Sequence, residues 1–123
     1  MTDNELMYAV KGICMKIHNR IGSGLLERVY QDILAYELSC MGLPVEKEVN
    51  VPFTYDSLAF ESGFRADLII GKRLIIEVKA VETLLPVHHA QLKTYMKLTN
   101  APLGLLVNFN CADIFREGMY SWH

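Results

Sequence analysis

The chain has 123 residues, enough for one domain with a real core and too few for two ordinary ones. Hydrophobic residues make up 51% and charged residues 21%, a balance that excludes a disordered tail. The formal net charge of −2 excludes the general basic excess by which many proteins hold nucleic acid, so any polyanion would need a local basic patch or metal ions.

The N-terminal "MTDNELMYAVKG" lacks the basic start and apolar core of a secretory signal, and no apolar run approaches the ~18 residues of a membrane span. The expected compartment is the cytoplasm, with no membrane partner. Thr2 to Glu5 has the form of a capping box, and Leu6, Val10, Ile13 and Ile17 follow at helical spacing, which predicts a first helix over Asn4 to Asn19. Gly22 and Gly24 interrupt it. Ser23 is the expected N-cap of a second helix that ends near Met41, where Gly42 and Pro44 stop it. Leu26, Val29, Tyr30, Ile33, Leu34, Leu38 and Met41 fill its core side, and Arg28, Gln31, Asp32, Ala35 and Ser39 its wet side.

"VEKEVNVPF" alternates with period two and reads as a strand with Val45, Val49, Val51 and Phe53 on one face. "GFRADLII" and "RLIIEVKA" are two further strands joined at Gly71 in a tight hairpin, and the stretch between Phe53 and Gly63 carries no assigned element. After Pro86, "VHHAQLKTYMKL" reads as a third helix. "LGLLVNFN" is a continuous apolar run, the mark of a strand buried on both faces, and "IFREGMYSW" is a possible edge strand. The order ααβββαβ, with a possible last β, predicts an α/β fold: one domain over 1–123 with a central mixed sheet flanked by helices. Cys14, Cys40 and Cys111 lie far apart without a C-x-x-C pair, which argues for a reducing compartment and reads them as small buried hydrophobes.

Three charges stand inside otherwise apolar strands. Glu77 and Lys79 are two apart, so they project to one face while Ile76 and Val78 project to the other. Asp67 joins them or not according to the turn. A two-residue loop pairs Ile70 with Arg73 and sends Asp67 to the wrong face, whereas a three-residue loop pairs Ile70 with Leu74 and sets Asp67 opposite Glu77. Facing carboxylates repel and need positive charge between them. An ion pair to Lys79 is one answer. In a sheet covered on both sides, a hard divalent ion held by one or two carboxylates and substrate phosphate is the better one.

These residues carry a family resemblance. The D-x(9)-E-x-K arrangement of Asp67, Glu77 and Lys79 resembles the PD-(D/E)XK nuclease superfamily, and the chain resembles its small bacterial branch of GxxExxY proteins, matched by Gly24, Glu27 and Tyr30 in "GLLERVY". The likeness runs from "IHNRIGSGLLERVY" through "FRADLII" and "IIEVKA" to "HHAQLKTYMKLTNAPLGLLVNFN". E-x-K alone would say little; here four motifs stand in the family's order. Ala66 departs from the proline of the superfamily's name, which removes no ligand.

The resemblance implies a restriction-endonuclease-like core and a Mg2+ or Mn2+ cofactor. Asp67, Glu77 and the Val78 carbonyl would bind the ion, Glu27, the helix acid of the site, would converge on the same ion as a further ligand, and Lys79 would orient or activate the attacking water. A helical wheel puts Glu27 in the core-facing arc beside Leu34 and Leu38, but Glu37 falls there too, so only the motif singles out Glu27. Gln91 and Tyr95 share a face of the third helix, and the resemblance places such a Q-x-x-x-Y helix beside the active site. His88 and His89 point about 100° apart on a helix and do not suit one ion together. The function implied is metal-dependent hydrolysis of nucleic acid, DNA first. The rivals are a catalytically weak nucleic-acid-binding or partner-dependent module, and a structural protein whose acids and lysine form a buried network. The late apolar residues Ile114, Phe115, Met119, Tyr120 and Trp122 either serve a homodimer interface or close the sheet within the monomer.

Overall fold

The structure, a computed structural model, describes residues 1–123. Helix α1 (Asp3–Ile21) starts as the sequence predicts: the Thr2 N–H donates to Glu5 Oε1 at 2.9 Å and the Glu5 N–H to Thr2 Oγ1 at 3.1 Å. It ends at Gly22, whose φ of 81° favours glycine. Helix α2 (Glu27–Cys40) starts later than expected. Ser23 does not cap it; Leu26 holds the N-cap position without a side-chain bond. Gln31 and Ala35, expected on the wet side, are buried with Tyr30, Leu34 and Leu38, because α1 and the sheet flank this helix from two directions.

The sheet follows as β1 (Val45–Tyr55), β2 (Leu58–Ile70) and β3 (Leu74–Lys79), then helix α3 (Pro86–Thr99), β4 (Leu103–Asn108), a π-helical turn over Ile114–Gly118, and β5 (Met119–Trp122). Spatial order equals chain order, β1-β2-β3-β4-β5. All neighbours are antiparallel except β3 and β4, whose parallel pairing needs a crossover and obtains it through α3. The helices α1 and α2 cover one face over Leu68, Ile70, Leu74, Ile76, Val78, Leu103, Leu105 and Val107. On the other face Leu92 of α3 packs with Ala66, Ile69, Ile75 and Leu106. Double coverage is why β3 and β4 read as unbroken apolar runs. No helix is long and apolar enough to cross a membrane.

Two strand expectations need correction. Val45 packs on the α1–α2 side and Val49 on the α3 side, so β1 does not keep one face; it swivels at Glu48, whose φ of 51° is left-handed. Asp67 lies across the ladder from that swivel, between the pairs Lys47–Leu68 and Val49–Ala66. The unassigned stretch after Phe53 is also strand: β1 and β2 continue as a hairpin that turns at Asp56 and Ser57.

The C-terminal segment closes the sheet. Ile114 is buried, and Met119 and Trp122 pack against the two cores, while Phe115 and Tyr120 stay exposed. Only Cys14 is fully core; Cys40 ends α2 beyond the sheet and is exposed, and Cys111 is half-buried. Gly118 seats this segment on β4: a Cβ there would lie 2.5 Å from the Asn108 carbonyl oxygen and 3.0 Å from Cys111 Sγ. Gly118→Ala is therefore expected to destabilise the fold by about 1–3 kcal/mol, read as a lowered denaturant midpoint at unchanged slope.

Candidate active site

The site forms where β2 leaves β3. Ile70 pairs with Leu74, Ile69 with Ile75 and Leu68 with Ile76, which is the three-residue loop, with Gly71 and Lys72 both at φ 57°. The same register carried one step further sets Asp67 opposite Glu77. There the regular ladder ends and the side chains replace it. The Asp67 N–H donates to Glu77 Oε2 at 2.9 Å, and the Val78 N–H donates to Asp67 Oδ2 at 2.8 Å. Each acid thus satisfies a backbone donor of the opposite strand that the diverging ladder would otherwise strand. Asp67 Oδ1 and Glu77 Oε1 accept no protein hydrogen bond and remain free for another partner.

Burial and repulsion act together on this pair. Glu77 is 4% exposed, and its carboxyl is pushed up to about 7, first by burial and then by the negative charge of Asp67, with a smaller push from Glu27; the Asp67 N–H and the Lys79 charge pull the other way and offset this only in part. Asp67 is raised as well, chiefly by burial, with the Val78 N–H and the charges of Lys79 and Arg65 pulling the other way. Lys79 is half-buried on the face of Glu77 and close enough to act on both acids, yet it belongs to none of the ion pairs of the fold.

Glu27 arrives from α2. It lies in the angular arc of Tyr30, Leu34 and Leu38, but as the first residue of the helix it stands past the end of the sheet and is exposed, not buried. Its Oε2 accepts from the Ala80 N–H at 3.2 Å, just beyond Lys79, and its charge raises both Asp67 and Glu77. The rest of the motif explains this placement. Gly24 has φ 112°, a conformation that favours glycine, and the buried Tyr30 donates its hydroxyl to the Gly22 carbonyl at 2.6 Å and accepts the Leu25 N–H at 3.3 Å. Its ring stacks on Phe109 at 4.5 Å. Tyr30 ties down the loop from which Glu27 emerges.

Helix α3 supplies Tyr95, whose ring stacks on Phe64 of β2 at 4.1 Å and whose phenol is pushed up by burial and then by the charges of Glu77 and Asp67. Gln91 lies one turn earlier on α3 and is exposed. Val78 itself turns its side chain into the α1–α2 core. His88 Nδ1 accepts the Leu85 N–H at 2.9 Å, and His89 packs edge-on against Tyr120, so the two histidines serve separate local contacts.

One residue escapes the sequence reading. The buried Asn108 at the end of β4 accepts from the Val81 and Asn110 N–H groups at 3.0 and 3.2 Å and donates to the Val81 carbonyl at 2.9 Å. With the Phe109 N–H bonded to the Lys79 carbonyl at 2.9 Å, it fixes the chain as it leaves Lys79. The signal available in the sequence is an amide closing an otherwise apolar strand, "LGLLVN".

No group of three or more His, Cys, Asp or Glu side chains stands in metal-holding geometry. The facing pair, Asp67 and Glu77, offers two hard oxygens with raised proton affinity, a donor set that fits Mg2+ or Mn2+ with waters completing the shell and does not fit an all-protein cage.

A five-stranded mixed sheet between helices, with two carboxylates and a lysine where its strands part, defines the restriction-endonuclease-like class. The family model of the PD-(D/E)XK nuclease superfamily matches residues 4–119, and the chain belongs to that superfamily, whose members are generally nucleases. No curated protein and no solved structure matches it.

Proposed function

We propose that this chain is a Mg2+- or Mn2+-dependent phosphodiesterase of the GxxExxY branch that hydrolyses nucleic acid, DNA first. The observation that carries the reading is the open pairing at its centre. Two carboxylates with raised proton affinity face each other, and the lysine beside them closes an ion pair with neither. A purely structural network of these groups would bring Lys79 onto one of the acids to offset their burial.

In this reading Asp67, Glu77 and the Val78 carbonyl hold the ion, and Glu27 borders the site from α2. When bound, the ion supplies positive charge against the scissile phosphate and eases deprotonation of the attacking water. Lys79 orients that water and offsets the charge of the phosphate oxygens. Tyr95 and Gln91 line the α3 side, where the phenol supports the acids and the amide meets the nucleic-acid backbone. Asn108 and Tyr30 act through others, as positioning residues for Lys79 and Glu27.

Incubation with single-stranded, duplex and branched DNA and with RNA in Mn2+ is the direct test. Cleavage of at least one substrate that stops with chelator is expected; no cleavage of any substrate, or cleavage indifferent to chelator, would overturn the reading. Tyr30→Phe removes both bonds to the 22–25 loop. It is expected to lower stability by about 1–2 kcal/mol and to slow metal-dependent cleavage several-fold while the unrelated α3 surface keeps its environment. A variant with wild-type stability and rate would remove Tyr30 from this role.

A further inference from the structure

A chain of net charge −2 has no general basic surface, so a phosphate strand must be held by cations gathered at the site. Lys79 is one. It shares the strand face of Ile75, which packs under α3. On the other side of the sheet stand Arg65 and Arg28, the only basic residues of β2 and of α2. Both are exposed, and neither belongs to an ion pair.

The two arginines reach one place from two elements. Phe64 and Ala66 pack on the α3 side, Phe64 against Tyr95, so Arg65 between them projects to the α1–α2 side, as does its cross-strand partner Asn50. It stands two residues before Asp67, where β2 has parted from β3, and is close enough for its charge to act on the Asp67 carboxyl. Arg28 lies one turn before Asp32, on the stripe of α2 from which Asp32 pairs with Lys47 of β1 at 3.2 Å. Helix α2 runs antiparallel to β1: Glu27 meets the Ala80 N–H just past the end of β3, while Cys40 leads back through residues 41–44 to the start of β1. One turn back along α2 from the Asp32–Lys47 pair is therefore about two residues onward along β1, at Val49 and Asn50, and Asn50 is the partner of Arg65.

The neighbouring acids leave this patch its charge. Glu27 accepts from Ala80, and Asp32 is paired with Lys47. The charged side chains that act on Asp67 include Arg65 but not Glu48, which stands across the ladder on the edge strand. The hairpin beyond Arg65 offers phosphates no path, since residues 49–64 carry Asp56 and Glu61 and no lysine or arginine.

We propose that Arg65 and Arg28 form a backbone-phosphate site, from which a nucleic-acid strand crosses the opening between β2 and β3 to Lys79. The bond presented to Asp67 and Glu77 then lies between phosphates gripped from the two sides of the sheet. A guanidinium suits this grip because its fork of donors matches a pair of phosphate oxygens. The crossing rests on the nuclease reading, whereas phosphate binding by the arginines is measurable without it.

Fluorescence anisotropy with fluorescein-labelled single-stranded DNA, duplex DNA and RNA, in chelator and over a range of salt, reads the site without turnover. On the probe that the wild type binds most tightly, Arg28→Ala and Arg65→Ala are each expected to weaken binding about three- to tenfold, and to reduce the slope of log affinity against log salt by about 1. The double variant should show both losses combined, and Arg65→Lys should keep the slope. Arg116→Ala, which removes an exposed arginine of the π-helical turn, should change neither quantity. Circular dichroism melts of all variants should match the wild type. In Mn2+ the double variant should raise KM with kcat within a few-fold of wild type, the reverse of Lys79→Ala. Unchanged affinity and salt slope in the double variant would overturn the proposal even if the wild type cleaves. So would a wild type that binds none of the three probes, or an equal loss in Arg116→Ala, which would be general charge. Arginine-dependent binding without cleavage of any substrate would refute the nuclease reading and support the phosphate site.

Discussion

Lys79→Ala is expected to lower metal-dependent cleavage by about 10²–10⁴-fold while nucleic-acid affinity stays within a few-fold of wild type. The reason lies in where Lys79 stands: at the end of β3 on the face of Glu77, held by the Phe109 N–H on its own carbonyl, with its ammonium outside every ion pair. Its removal breaks no hydrogen bond or ion pair of the side chain but takes away a charge that favours both ionised acids, so the variant should stay folded with somewhat lower stability when metal is absent, and the loss of activity should appear in kcat. Asp67→Asn should lose turnover to a similar extent, with weakened Mn2+ binding by calorimetry, which Lys79→Ala keeps. Equal loss of affinity and turnover in Lys79→Ala would assign the lysine to substrate binding. A wild-type rate would remove it from the chemistry altogether.

The second large effect concerns stability and pH. Glu77 titrates near 7 in the folded protein against an ordinary value of 4.5, because burial and then the Asp67 charge disfavour its ionised form. The folded state therefore binds this proton more tightly than the unfolded one. Stability is greatest below the unfolded value, falls as pH climbs between about 4.5 and 7, and above 7 carries the full cost, on the order of 3 kcal/mol. Asp67, also raised, adds to the loss in the same direction. A divalent cation that binds only the folded pair offsets this cost. Thermal midpoints at pH 8 should rise with saturating Mg2+, and at pH 5, where protons compete, they should rise far less. Glu77→Gln keeps an acceptor for the Asp67 N–H and removes the repulsion, so at pH 8 without metal it should melt above wild type by roughly 10 °C and respond little to Mg2+. Equal wild-type midpoints at pH 8 with and without Mg2+ would count against the paired-acid site, as would a Glu77→Gln variant no more stable than its parent.

Much of the site was legible because it is local. Glu77 and Lys79 share a face by strand period alone, and "IIEVK" and "LGLLVNFN" announce strands buried on both sides. The capping box at Thr2 and the helical spacing after it place α1 to within a residue or two. Gln91 and Tyr95 share a helix face for the same reason. Glu27 was legible only through its motif, since periodicity treats Glu37 alike, and Glu37 is in fact paired with Lys16 at 2.9 Å.

What the sequence by itself determined is the set of chemical groups and the face on which each neighbouring pair lies, because the periods of strand and helix are properties of the backbone. It left open whether Asp67 meets Glu77, because two loop lengths obey the same pattern and differ by one residue of register. The tertiary structure decided it by pairing Ile70 with Leu74 and opening the ladder at Asp67, where the carboxylates take over backbone donors. Only packing could turn Gln31 and Ala35 inward, start α2 at Glu27 and not behind Ser23, or swivel β1 at Glu48. In each case a contact distant in sequence outweighs a local preference worth about a kilocalorie per mole.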